Sequence, residues 1–325
     1  MIGRTVAAVV LSVATLACDR AAPNEKRVSL KIGVRPLLTV APVYIAHAAG
    51  LYAEQGLDVE LVSIEGVSSS VPLLIQGKID VLPGPVSPSL FNAIHRGGRL
   101  RIVADKGQYF RDDCSQSVFV KSPAYAQRGG QPRRVGLMKE TFNRMFIERA
   151  LTTNGVNLDS VEAFYLPKAA EYDAIVSGRI DAANLGDVWL VRALAKGAVP
   201  WVRVNELMAG VQFSVFSYGP RLLDEEPDVG VRVALAHLKA MRLYNEGKTD
   251  RNLQIMARTL GASPDELRNV CWPRMREDGV IDTTSLVEFQ KWALARGELD
   301  AVIPGSQFWD ARFVEKANEL LKREQ

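Results

Sequence analysis

The chain has 325 residues, 47% of them hydrophobic and 24% charged, with a formal charge of +3. That balance suits a globular protein of two domains or one bilobed unit, and it excludes a disordered or fibrous chain. Basic residues are scattered, with no polybasic block and no aromatic-basic platform, so nucleic acid is not an expected partner.

Residues 1–18 stand apart. Arg4 is the only early charge, and Val6 to Leu16 is an apolar run ending at Ala17-Cys18. Such a run is too short to span a bilayer but suits the core of a signal peptide, expected over residues 1–17. The segment resembles a bacterial lipoprotein signal, in which the cysteine is acylated and becomes the first mature residue. Cys18 is therefore the expected lipidation site. Thr15 stands where that pattern usually has Leu, which leaves a plain cleaved signal as the other reading. Asp19 resembles an inner-membrane retention signal, and residues 18–27 read as a polar tether.

Strands and helices then alternate. Leu30, Ile32 and Val34 predict a half-buried strand, Pro42 opens a helix towards Gly50, and Val59 to Val62 is a second strand. Ser68-Ser69-Ser70 precede Val71, Leu74 and Ile75 at helical spacing, so the serines read as N-cap candidates. Further strands are expected at Ile79 to Leu82, Leu100 to Ala104, Arg134 to Leu137 and Val161 to Tyr165. Helices are expected from Thr141 and around Tyr172 to Val176. This alternation argues for βαβ units and mainly parallel sheets.

The phrase Gln76-Gly77-Lys78-Ile79-Asp80 returns as Ser177-Gly178-Arg179-Ile180-Asp181. Each copy reads as helix end, capping glycine, basic residue and strand entry, which suggests two lobes of one architecture. The same pattern is also a common helix-to-strand connection. The last third is mostly helical, with apolar stripes at Val231 to Met241 and Leu286 to Ala293 that read as core faces. Ser117 to Lys121 and Gln212 to Ser217 are the expected lobe crossings.

Only Cys114 and Cys271 remain after Cys18. In an oxidising compartment they could form a disulfide, and two separate buried thiols are the other reading. There is no C-x-x-C, H-E-x-x-H or Cys/His cluster, so no metal and no cofactor is expected. His47, His95 and His237 form no catalytic spacing, and Phe110, Trp201, Phe213 and Trp272 read as core.

Ala41-Pro42-Val43-Tyr44, Tyr52 to Glu60 (YAEQGLDVE), Ser68-Ser69-Ser70, Gly77 to Asp80, Arg101 to Ala104 and Val135-Gly136 occur in a telling order. Near the end come Ser285-Leu286, Gln290 to Trp292 and Asp310 to Phe313. Together they resemble the nitrate/sulfonate/taurine-type periplasmic solute-binding family, which includes binders of pyrimidine precursors and proposed flavin binders. The resemblance covers roughly Leu30 to Leu321. It implies a type II periplasmic-binding-protein fold of two α/β lobes joined by two crossover strands. Lobe 1 would be residues 28–118 and 215–325, and lobe 2 residues 119–214. It also implies a monomer held at the inner membrane, facing the periplasm, that gives a small-molecule ligand to the permease of an ABC-type importer. It implies no enzymatic chemistry. Pyrimidine-precursor synthases of the same fold carry a cysteine-rich motif that this chain lacks. A sensor presenting solute to a membrane receptor would have the same cleft.

Ligands of open α/β sheets sit beyond the carboxyl ends of strands, near helix N-termini that favour anionic oxygens. On that ground Ser68, Ser69, Ser70, Thr141 and Asn143 are expected ligand contacts, with a plain capping role as the alternative. Leu38, Thr39 and Tyr44 lie at the opening helix, Gly84 and Ser87 follow a lobe 1 strand, and Asp187 and Trp189 follow a lobe 2 strand. Tyr44 and Trp189 would clamp a flat ligand. Asp187 would accept from an amine or ring N–H, or else serve as a helix cap or interlobe ion pair. An aromatic nitrogen heterocycle, such as a pyrimidine precursor or flavin, is the first expected ligand. An alkanesulfonate or other oxyanion is the second.

Overall fold

The computed structural model describes residues 27–137 and 141–324. The expectations for the signal peptide, Cys18, most of the tether and the side chain of Thr141 lie outside the described residues. Ten strands run in chain order: β1 (Val28–Val34), β2 (Leu57–Ser63), β3 (Val81–Pro85), β4 (Arg101–Gln108), β5 (Ser117–Lys121), β6 (Arg134–Leu137), β7 (Glu162–Tyr165), β8 (Ala182–Gly186), β9 (Val199–Arg203) and β10 (Gln212–Tyr218). They form two five-stranded sheets, ordered β2-β1-β3-β10-β4 and β7-β6-β8-β5-β9. In each sheet one strand, β10 or β5, runs antiparallel to both its neighbours. The three strands to one side of it are mutually parallel. This is the two-lobed type II architecture, with helices covering both sheets.

The repeated phrase has a physical basis. Gly77 and Gly178 end their helices at φ 67° and 72°, left-handed values that favour glycine. The isoleucine that follows packs on a strand glycine. A Cβ on Gly33 of β1 would lie 3.1 Å from Ile79 Cδ1, and one on Gly136 of β6 would lie 2.9 Å from Ile180 Cδ1. The aspartate then accepts backbone N–H groups of the neighbouring parallel strand or of the residue just before it. Lys31 N–H donates to Asp80 at 2.8 Å. Arg133 and Arg134 N–H donate to Asp181 at 2.8 and 3.0 Å. One phrase of sequence thus builds the same corner in both lobes.

The lobe 1 core joins β1 and β3 to the helices Ala41–Ala48, Pro227–Asn245 and Arg312–Arg323, with Val233, Ala234, Leu238 and Phe313 fully buried. Ser117–Lys121 and Gln212–Ser217 do not themselves span the lobes. Each belongs to one sheet, β5 between β8 and β9 and β10 between β3 and β4. The chain crosses in residues 109–116 and returns in residues 204–211, which join those strands. Cys114 and Cys271 form a disulfide with Cα atoms 5.7 Å apart, which decides between the two readings of these cysteines. Among the described residues no helix is long and apolar enough to cross a membrane.

Candidate functional site

A cavity of about 130 Å³ lies between the lobes. Its walls follow the carboxyl ends of the parallel strands. Arg35, Leu37 and Thr39 come after β1, Pro85 ends β3, Phe142 and Asn143 come after β6, Lys168 follows β7, Gly186 ends β8 and Asp187 follows it. Parallel strands end together, so the loops that leave them converge. The outgoing crossing adds Tyr109 and Gln116, β5 begins with Ser117, and β10 adds Phe213 and Ser214.

One wall is aromatic. Tyr109 stacks on Phe213 with ring centroids 4.4 Å apart, and Phe142 lies 6.3 Å from each. Phe213, expected as plain core, has this position because Gly107 leaves no side chain in its way. A Cβ there would overlap the Phe213 ring. The opposite wall is polar. Lys168 Nζ donates to Glu171 at 2.9 Å and to the Asn184 carbonyl at 2.6 Å. Asn184 Nδ2 donates to Asn143 Oδ1 at 3.4 Å. Asn184 Oδ1, Gln116 Oε1 and Ser214 Oγ are buried without a partner. Buried polar atoms nearly always find partners, so three orphans around one cavity point to an occupant that supplies them.

Asp187 is the one non-glycine residue of the described chain with positive φ, at 50°. Burial raises its carboxyl pKa to about 6, against the pull of Lys168 and of the Leu38 N–H of the other lobe. A strained residue holding a buried carboxylate at an interlobe contact is a functional signal. The lobes are also joined where Arg192 donates to Glu266 at 2.9 and 2.7 Å and Trp292 donates to Glu148 at 3.2 Å. Beneath the cleft floor, consecutive β4 residues Asp105 and Lys106 are fully buried. Burial raises Asp105 to about 6 and lowers Lys106 to about 7. Lys106 Nζ donates to the carbonyl of Thr39 at 2.7 Å, which ties the loop that lines the cleft to the sheet.

Of the contacts expected from sequence, Thr39, Asn143 and Asp187 line the cavity, while Leu38 is buried in the lobe 1 core with its N–H near the Asp187 carboxyl. The others lie elsewhere. The N-cap of helix Val67–Ile75 is Gly66, and Ser69 and Ser70 donate back to its carbonyl at 3.1 and 2.7 Å, so the serines are first-turn residues rather than caps. Ser68 faces an outer groove with Pro72, Gln76, Asn92 and Arg96. Gly84 is small because Val67 presses on it, with Cγ2 where a Cβ would have to stand. Ser87 precedes helix Pro88–His95 and pairs with Ser89 at 2.9 Å. Tyr44 faces Ile255, Arg258 and Thr259 on the outside of lobe 1. Trp189 sits two residues past Asp187, roughly 200° around the helix, and packs on Tyr172 and Arg192 instead. Arg35 and Lys168 were legible in principle, since each follows a predicted strand. Tyr109, Gln116 and Phe213 carried no such signal.

Residues 23–261 match the family described as NMT1-like. No curated protein matches the chain. Among solved structures it is similar to the ligand-binding component of an ABC-type import system from Staphylococcus aureus, with a TM-score of 0.73, 14% identity, and 90% of this chain and 99% of that one covered. It is similar to the periplasmic aliphatic sulphonate binding protein SsuA from Escherichia coli, with a TM-score of 0.68, 15% identity, and 87% and 92% covered. The desulfurization enzyme DszB shares the fold, with a TM-score of 0.66, 17% identity, and 92% and 100% covered.

Proposed function

We propose that this protein, which belongs to the NMT1-like family, is a solute-binding protein that closes two α/β lobes on a small organic molecule and delivers it to an ABC-type importer. The observation that carries this reading is the cavity at the carboxyl ends of both sheets, lined by three aromatic rings and by orphaned polar atoms. Binding works by population shift: a solute touching both lobes has more contacts in the closed state and biases the equilibrium towards it.

The solute is a flat molecule of single-ring size with an N–H donor. A cavity of about 130 Å³ is comparable to engineered cavities of about 150 Å³ that hold benzene. The ring lies on Tyr109 and Phe213, and Asp187 accepts the N–H. A pyrimidine precursor meets these terms, whereas a three-ring flavin requires the lobes to part. A second reading, a compact sulfonate or other oxyanion, is favoured by Arg35 and Lys168 on the same lining. Cys18 carries a lipid that holds the binder at the inner membrane, facing the periplasm. Labelling with a radioactive fatty acid, compared with Cys18→Ser, tests the anchor.

A thermal-shift screen on protein without residues 1–18 tests the rest, using aminopyrimidines, flavin mononucleotide, taurine, longer alkanesulfonates and nitrate. Stabilisation by aminopyrimidines supports the first reading. Stabilisation by sulfonates alone overturns it in favour of the second, and no stabilisation by any of them removes both.

A further inference from the structure

The disulfide lies where the lobes hinge. Cys114 is in the outgoing crossing, two residues before Gln116 and three before Ser117, both of which line the cleft. Five residues earlier, Tyr109 makes the aromatic wall. The other cysteine has a rigid base. Cys271 stands between Val270 and Trp272 of the lobe 1 core, and Trp272 stacks on Tyr244 with centroids 5.5 Å apart.

The neighbours of the bond act in the same direction. Arg274 N–H donates to Asp113 at 2.5 Å, and its guanidinium donates to Asp112 at 2.8 Å and lies 5.3 Å from the Phe110 ring. A separate bond ties the two crossings to each other: Asn205 Nδ2, in the return crossing, donates to the carbonyl of Asp113 at 2.5 Å and faces that of Arg111 at 3.4 Å. Through Cys271 and Arg274, residues 112–114 are held to lobe 1, although the sheets place them between the lobes.

We infer that Cys114–Cys271 is a positioning bond for the binding cleft: it fixes the outgoing crossing to lobe 1, so that Tyr109 and Gln116 keep their places while lobe 2 swings. Its role in ligand affinity rests on the solute-binding reading, but its role in the hinge does not. A bond closing 157 residues of chain also restricts the unfolded state, so its removal lowers overall stability as well. Local and global effects must therefore be separated.

The test is hydrogen exchange followed residue by residue in the full mature protein, comparing wild type with the Cys114→Ser/Cys271→Ser pair, and wild type before and after mild reduction. The pair variant retains the far-ultraviolet spectrum of a folded protein. Amides of residues 109–117 exchange at least about tenfold faster, while those of β1, β3, β6 and β8 change little under conditions far below the melting transition. Small-angle scattering of the ligand-free variant shows a wider spread of interlobe separations. Uniform acceleration across both lobes would reduce the bond to a general staple, and no acceleration at 109–117 would overturn the inference outright. Neither readout uses a ligand, so failure of the solute screen leaves both standing.

Discussion

Replacing Asp187 by asparagine removes a charge and leaves the shape. In the folded protein burial raises this carboxyl to about 6, against a usual value of 3.8. The difference of about two pKa units corresponds to about 3 kcal/mol as an upper bound. Below pH 4 the aspartate is protonated in both states and costs nothing. As pH rises from about 4 to about 6, the unfolded chain releases the proton while the folded one retains it, so the unfolded state binds fewer protons and stability falls. Above pH 6 the loss is complete. The asparagine side chain does not titrate, so the Asp187→Asn variant and the wild type match near pH 4, and the variant becomes more stable towards pH 7. For lobes of this size, that upper bound corresponds to a Tm gain of at most about 6 to 12 °C. Asp105 also titrates near 6, but it is common to both proteins and cancels in the difference. Paired thermal melts from pH 4 to pH 8 provide the assay. A difference that stays flat with pH would mean that Asp187 is solvated and that the cleft is not closed around it.

Asp181→Ala breaks two backbone bonds and the pairings with Arg128 and Arg134, each at 3.1 Å. It should lower stability by about 3 kcal/mol in urea melts, as expected for a buried paired charge. Phe213→Ala removes the stacked wall and should cost about 3 kcal/mol while weakening the solute found by the screen at least about tenfold by calorimetry. Ser68→Ala and Tyr44→Ala, both directed away from the cavity, should leave that affinity unchanged in the same titration. Gly186→Ala puts a Cβ 2.6 Å from the Gln116 carbonyl oxygen, so it should weaken binding by pushing the crossing segment out of the cleft.

Much of the fold was written in local pattern. Alternation marked β1, the run Arg134 to Leu137 coincides with β6, and the Gly-basic-Ile-Asp phrase marked the same corner in both lobes. Each of these depends on contacts a few residues away or on one adjacent strand, where spacing alone decides which face is apolar. The rule that ligands gather at strand ends also led to Thr39, Asn143 and Asp187. It failed wherever the direction of a side chain mattered. Trp189 shares a helix with Asp187 but lies on its far side, and Ser69 and Ser70 turn their hydroxyls back to Gly66. Tyr109 and Gln116 belong to a segment far along the chain from Phe213, and Tyr109 meets Phe213 only because β4 and β10 pair within one sheet. Local pattern was enough for the two lobes and for the loops that could bear a ligand. Which side chains face the cavity, and that Cys114 meets Cys271, depended on the folded molecule, because helix rotation and lobe closure are set by packing across the whole chain and by no local period.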